Sequence, residues 1–275
     1  MHDGRPPGAR PPLSALTAFA LAGSPVPLPG GEYTAWRVGD VVLKPVDVPD
    51  AQLEWQASFY DSLRNQDRFR VPGAIRADDG ALVVDGWYAT TFLPGRHVHG
   101  RWLDIVEVGE VFHAAIAPVR RPAFIDDRTD PWSIGDRVAW DELAVEDVPE
   151  TKHLLRLVDH LRPITAPPQL IHGDLTGNVL FDDDLPPAVI DLSPYFRPPA
   201  FASAVVVADA LVWEGADASL LRVLDRDATF PQYLLRALIY RAVTDRLFRL
   251  DQPLRPDRDD PYRSAVDLAI AASLT

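Results

Sequence analysis

The chain has 275 residues, enough for about two domains, and its 47% apolar and 24% charged content excludes a collagen, a coiled coil and a wholly disordered chain. It holds no apolar run long enough to span a membrane, and its N-terminus lacks the apolar stretch of a secretion signal. Cysteine is absent, which rules out disulfides and thiolate metal sites and makes the reducing cytoplasm the expected location, while a net charge of −13 argues against a nucleic-acid backbone as partner.

Residues 1–12 are rich in Pro, Gly and Arg and read as a flexible lead. Leu13–Leu21 is a short helix by its apolar period, with Ser14 near its start. A turn at Pro29-Gly30-Gly31 leads to a strand over Thr34–Val38. Gly39-Asp40 is a second turn, and Val41–Lys44 is a second strand, stopped by Pro45. Asp50 is placed to cap a helix running to Leu63, with Leu53, Ala57 and Tyr60 on one face. Strands follow around Ile75, over Ala81–Val84 and over Trp87–Leu93, before Pro94-Gly95 breaks the pattern. The remainder reads as mostly helical. Helices are predicted over Leu103–Ala117, Lys152–Leu161 and Pro231–Leu250, with Arg236, Arg241, Arg246 and Arg249 on the faces of the last that its apolar stripe leaves over. Short apolar runs at Leu170-Ile171, Val179–Phe181 and Val189-Ile190 interrupt them.

The segment His172-Gly173-Asp174-Leu175-Thr176-Gly177-Asn178 sets a carboxylate and a carboxamide in a tight loop between two of those runs. The third run ends on Asp191. Asp174, Asn178 and Asp191 together offer hard oxygen ligands and a base, a set suited to Mg²⁺, which takes few protein ligands and shares the rest with phosphates and water. Only Lys44 and Lys152 are lysines among 27 basic residues. A Lys at the strand end where Lys44 stands therefore points to a need for a compact ammonium rather than a guanidinium.

These residues, in this order, resemble the aminoglycoside phosphotransferase and choline kinase family. The resemblance covers about residues 20–250. It implies an α+β, bilobal protein-kinase-like fold: a small antiparallel-sheet N-lobe over 1–93 that binds nucleotide, and a larger, mostly helical C-lobe over 94–275 that carries the catalytic loop and the acceptor site. It implies an ATP- and Mg²⁺-dependent phosphotransferase whose acceptor is a hydroxyl of a small molecule of the amino sugar, aminoglycoside or amino alcohol class. Asp174 would orient or deprotonate the hydroxyl, and His172 would brace the loop. Asn178 and Asp191 would hold the metal. Lys44 would grip the nucleotide phosphates with Glu54 as its ion-pair partner, Gly30 and Gly31 would form a reduced phosphate-covering turn, and Phe92 and Leu93 would line the adenine pocket. Asp209 resembles the family's buried bracing carboxylate. The family usually has four residues between the Asp and the Asn of the catalytic loop, and this chain has three, so Gly177 is expected to absorb a tighter turn. The short loop and sparse glycines also fit an alternative, a kinase-like nucleotide-binding or scaffold protein without turnover.

Residues 126–150 carry nine acids, two bases, Trp132 and Trp140. Read functionally, they would favour a cationic acceptor through charge and cation–π contact; read structurally, they are a solvated acidic face over core tryptophans. Asp182-Asp183-Asp184 reads as a solvated turn, and His97 and His99 read as surface residues. Oligomeric state is not encoded in any of these features.

Overall fold

The computed structural model describes residues 8–29, 34–224 and 228–274. Gly30 and Gly31, the expected phosphate-covering turn, lie outside the described residues, as do Met1–Pro7 at the start of the expected flexible lead. The chain forms two compact units, Met1–Val98 with Gly177–Leu192 and His99–Thr176 with Ser193–Thr275.

The first unit opens with α1 (Leu13–Ala18) and β1 (Val26–Pro27), followed by β2 (Trp36–Val38) and β3 (Val41–Pro45). Helix α2 (Asp50–Ser62) comes next, then β4 (Ala74–Ile75), β5 (Val83–Val84) and β6 (Trp87–Thr91). The sheet is antiparallel in the order β1-β2-β3-β6-β4, with β5 also paired to β6. Alternation sends Trp36, Val38, Leu43, Trp87 and Ala89 to one face, where Ala15, Leu16 and Phe19 of the α1 segment cover them. Asp50 is the first residue of α2 rather than its cap; Pro49 takes the cap position and no side chain caps the helix.

Beyond the break come α3 (Trp102–Ile116), α4 (Phe124–Asp127), α5 (Pro131–Ala139), α6 (Leu154–Val158) and β7 (Gln169–His172). A hairpin, β8 (Val179–Leu180) and β9 (Ala188–Val189), belongs to the first unit, tied to it by the bridges Arg70–Ala188 and Arg96–Phe181. The chain then returns to the second unit with β10 (Pro194–Arg197), α7 (Pro199–Trp213), α8 (Ala218–Leu224), α9 (Phe230–Leu247) and α10 (Arg263–Ser273). Among the described residues no helix is long and apolar enough to cross a membrane.

Helix α9 is the axis of the second unit, packed against α5, α6, α7 and α10. Gly135 permits the approach of α5, since a Cβ there would sit 2.7 Å from the Tyr240 carbonyl oxygen. Strands β7 and β10 pair antiparallel, with Gln169 opposite Arg197. The buried Arg197 donates to both oxygens of buried Asp136 and to Glu142. Other carboxylates of the acidic stretch are also paired: Asp126 with Arg121, Asp130 with Arg128, and Asp141 with Arg236 at 3.6 Å. The guanidinium groups of Arg197 and Arg236 lie 5.1 and 4.8 Å from the Trp140 ring. Much of the acidity of residues 126–150 is thus neutralised by the chain's own arginines.

Arg197 holds the Glu142 carboxyl below its ordinary value of 4.5. A depressed carboxylate contributes stability above its unfolded pKa and loses it as pH falls through the folded value. The melting temperature is therefore expected to drop on acidification from about pH 5 to about pH 3, and to drop less in Glu142→Gln; equal slopes in a calorimetric pH series would contradict the assignment.

Candidate active site

In the first unit, Lys44 is the penultimate residue of β3, and its side chain forms an ion pair with Asp191 just past β9. The hairpin register places Val179 opposite Val189, so Asn178 meets Ile190, whose N–H donates to the Asn178 carbonyl at 3.0 Å. Asn178 and Asp191 therefore stand one register step apart at the open end of the hairpin. Asp191 adopts φ +52, a left-handed conformation that costs a non-glycine residue about 1–3 kcal/mol and concentrates at functional sites. Its neighbour Leu192 donates its N–H to the Tyr60 hydroxyl at 2.9 Å. Tyr60 is buried on α2, and burial pushes its phenol far up. Helix α2 thus holds the backbone beside Asp191 while Lys44 holds its carboxylate.

Glu54 does not join this group. It pairs with Arg76 at 2.8 Å, and Lys44 pairs with Asp191 instead. The sequence places Glu54 on α2 correctly, but Arg76 supplies a bidentate guanidinium that the spacing alone does not reveal. Phe92 and Leu93 follow β6 and are half-buried. The Phe92 ring is covered by the Arg37 guanidinium at 3.5 Å, and its N–H donates to the Asp40 carbonyl. Asp182–Asp184 is a turn closed by the Asp184 N–H on the Asp182 carboxylate.

The second unit holds Asp174, two residues past β7. Its N–H donates to Nδ1 of His172 at 3.2 Å, and the His172 N–H donates to Nε2 of His113 on α3 at 3.0 Å. Both imidazoles are buried, and burial lowers the His113 pKa to about 3, which keeps that ring neutral and able to accept. These contacts tie the start of the loop to α3; His113 carries no local sequence signal of this pairing. Gly173 is required by packing, because a Cβ there would enter the Tyr195 ring. Gly177 takes φ +83, the conformation expected of the tightened loop.

The Asp174 carboxylate is 35% exposed and accepts from Nη2 of Arg241 at 2.6 Å. The same guanidinium makes a two-pronged pair with Asp209 of α7, at 2.7 and 2.6 Å. Exposed Trp132 and Trp213 lie with their ring centroids 5.5 and 6.0 Å from it. His99 is exposed, 3.8 Å from Glu214.

Among the described residues no three His, Asp or Glu side chains assemble into a metal-binding cluster. The donors fit Mg²⁺ in the manner of a phosphate-bridged ion instead. One carboxylate and one carboxamide supply hard oxygens from adjacent registers, and a neighbouring ammonium suits the phosphates that complete the shell.

The family model "Phosphotransferase enzyme family" matches residues 26–195. No curated relative matches the chain in sequence. Among solved structures, a microcompartment-associated aminopropanol kinase is similar at TM-score 0.58 and 16% identity, covering 94% of this chain and 93% of its own. An aminoglycoside phosphotransferase from Alicyclobacillus acidocaldarius gives 0.58 and 14%, covering 99% and 97%. Choline kinase LicA from Streptococcus pneumoniae gives 0.57 and 10%, covering 94% and 96%. At these identities the likeness establishes the fold, the protein-kinase-like arrangement of an antiparallel sheet unit and a helical unit. With its fold shared and more than half its length matched, this chain belongs to the phosphotransferase enzyme family.

Proposed function

We propose that this protein transfers the γ-phosphoryl group of ATP, with Mg²⁺, to a hydroxyl of a small molecule. The observation that carries the reading is Asp174, held by its backbone and by its carboxylate at the end of a buried strand. Bound Mg-ATP supplies the phosphoryl group and a metal that offsets its charge; Asp191 and Asn178 would hold that metal. Lys44 binds the nucleotide phosphates, with Asp191 keeping its ammonium in place. Asp174 accepts the proton of the acceptor hydroxyl, and His172, supported by His113, keeps the loop from drifting. Phosphoryl transfer asks for positioning and charge stabilisation more than covalent chemistry, and these residues provide both. We assign nucleotide to the first unit and acceptor to the second.

An acceptor bearing an amine is supported by the overall charge of −13 and by the names of two of the structural neighbours, an aminopropanol kinase and a choline kinase. The self-paired acids of residues 126–150 do not add to that argument. The use of ATP and the lack of cysteine support a cytoplasmic location.

The test is calorimetric titration with Mg-ATP followed by a screen of amino alcohols, choline, amino sugars and aminoglycosides. Binding with transfer to one class supports the reading, binding without any transfer supports the scaffold alternative, and no binding at millimolar nucleotide rejects both. Lys44→Ala is expected to weaken Mg-ATP about 10- to 100-fold, the worth of one charge-assisted phosphate contact. Its melting temperature should stay near wild type because the Lys44 side chain is partly solvated. An unchanged dissociation constant would remove Lys44 from the nucleotide site.

A further inference from the structure

We propose that Arg241 is a positioning residue for the reaction, fixing the carboxylate of Asp174 through a guanidinium that Asp209 fixes in turn. The inference rests on the reading of Asp174 as the acceptor's base. An aspartate side chain has two free torsions, and the backbone contact with His172 restrains neither. A base must be held within about 0.5 Å and 10–20° of its productive geometry, so something has to restrain those torsions.

Arg241 restrains them through Oδ1. Its side chain is 4% exposed, deep in α9. Nε and Nη2 grip both oxygens of Asp209, and Nη2 spends its second hydrogen on Oδ1 of Asp174. The ring centroid of Tyr240 lies 5.1 Å from the guanidinium carbon, and Tyr262 donates its hydroxyl proton to the Arg241 carbonyl at 3.1 Å, so the backbone and the head group are both anchored. Asp209 is itself buried, and burial raises its carboxyl pKa against the opposing pull of Arg241. Only a planar fork can serve two carboxylates with fixed angles. A lysine would supply the charge without the orientation.

Four variants test this, with Mg-ATP as substrate and water as acceptor: Arg241→Lys, Arg241→Ala, the double variant Arg241→Met with Asp209→Leu, and Asp174→Asn. The double variant removes a buried ion pair as a unit, a change that is often neutral or stabilising, so it guards against simple misfolding. The expected result is a 10- to 100-fold fall in kcat for all three Arg241 variants with the Mg-ATP dissociation constant within about twofold of wild type, the cost of a base displaced by about an ångström. Added guanidinium ion is expected to restore part of the rate in Arg241→Ala. An undiminished kcat in Arg241→Lys and in the double variant, with Asp174→Asn inactive, overturns the positioning role and leaves the base assignment standing. A fall in nucleotide affinity that parallels kcat, with no rescue by guanidinium, marks a structural role and also overturns it. Activity surviving in Asp174→Asn overturns the base assignment itself.

Discussion

Asp174→Asn is expected to lower phosphoryl transfer by about 10²- to 10⁴-fold, the usual contribution of a positioned general base. The substitution keeps the side chain's shape and one carbonyl oxygen facing Arg241, and Arg241 retains its two-pronged pair with Asp209. Folding is therefore expected to survive, with a melting temperature near that of wild type. Mg-ATP affinity should also survive, because the groups assigned to nucleotide, Lys44 and Asp191, are untouched. Steady-state transfer to water or to an acceptor found by the screen, set beside calorimetric nucleotide binding, separates the two effects. Retention of more than a small fraction of the wild-type kcat would move the proton-accepting role elsewhere.

Arg197→Ala is expected to destabilise the protein by about 3–5 kcal/mol, because it strands a buried carboxylate. Arg197 meets Asp136 through Nε and Nη2, at 3.2 and 2.7 Å, and also binds Glu142. Asp136 is buried, and burial already outweighs Arg197 in setting its pKa above the ordinary 3.8. Without the arginine its charged form keeps only the weaker pull of Arg128, and it binds a proton more tightly in the folded state. The sign follows from that direction: the variant's deficit should be smallest below the ordinary value and should grow as pH rises through it toward neutrality. Denaturant melts at acidic and neutral pH would show this, and a deficit independent of pH would assign the loss to the stacking of Arg197 on Trp140 instead. The site depends on this pair at one remove. Arg197 ends β10, which lies along β7, the strand that leads to His172 and Asp174.

The candidate site was more legible in the sequence than the architecture. Lys44, the His172–Asn178 loop and Asp191 stand out because each is a polar side chain at the end of a short apolar run, a pattern local enough to read. The helices α7 and α10 and the strand β10 were not placed. Residues 201–212 of α7 are all buried, so no polar face marks its period. Helix α5 carried its signals, with Asp130 capping the Ser133 N–H and Pro131 in the first turn, under a density of acids that read as a solvated face. The helix α9 was expected, but its arginines were assigned to the faces left over by the apolar stripe. In the structure Arg236 and Arg241 are buried, because α9 is enclosed on several sides.

The sequence by itself determined the family, the strand that carries Lys44, the loop that presents Asp174 and the hairpin that ends on Asp191. Those depend on residue type and on separations of a few positions. The tertiary structure decided which charges meet: Lys44 with Asp191, Glu54 with Arg76, and Arg241 with both Asp174 and Asp209. Pairs 22, 32, 67 and 147 residues apart in the chain are selected by the packing of helices and strands. A guanidinium or ammonium takes whichever carboxylate that packing brings within reach, and no local pattern encodes the choice.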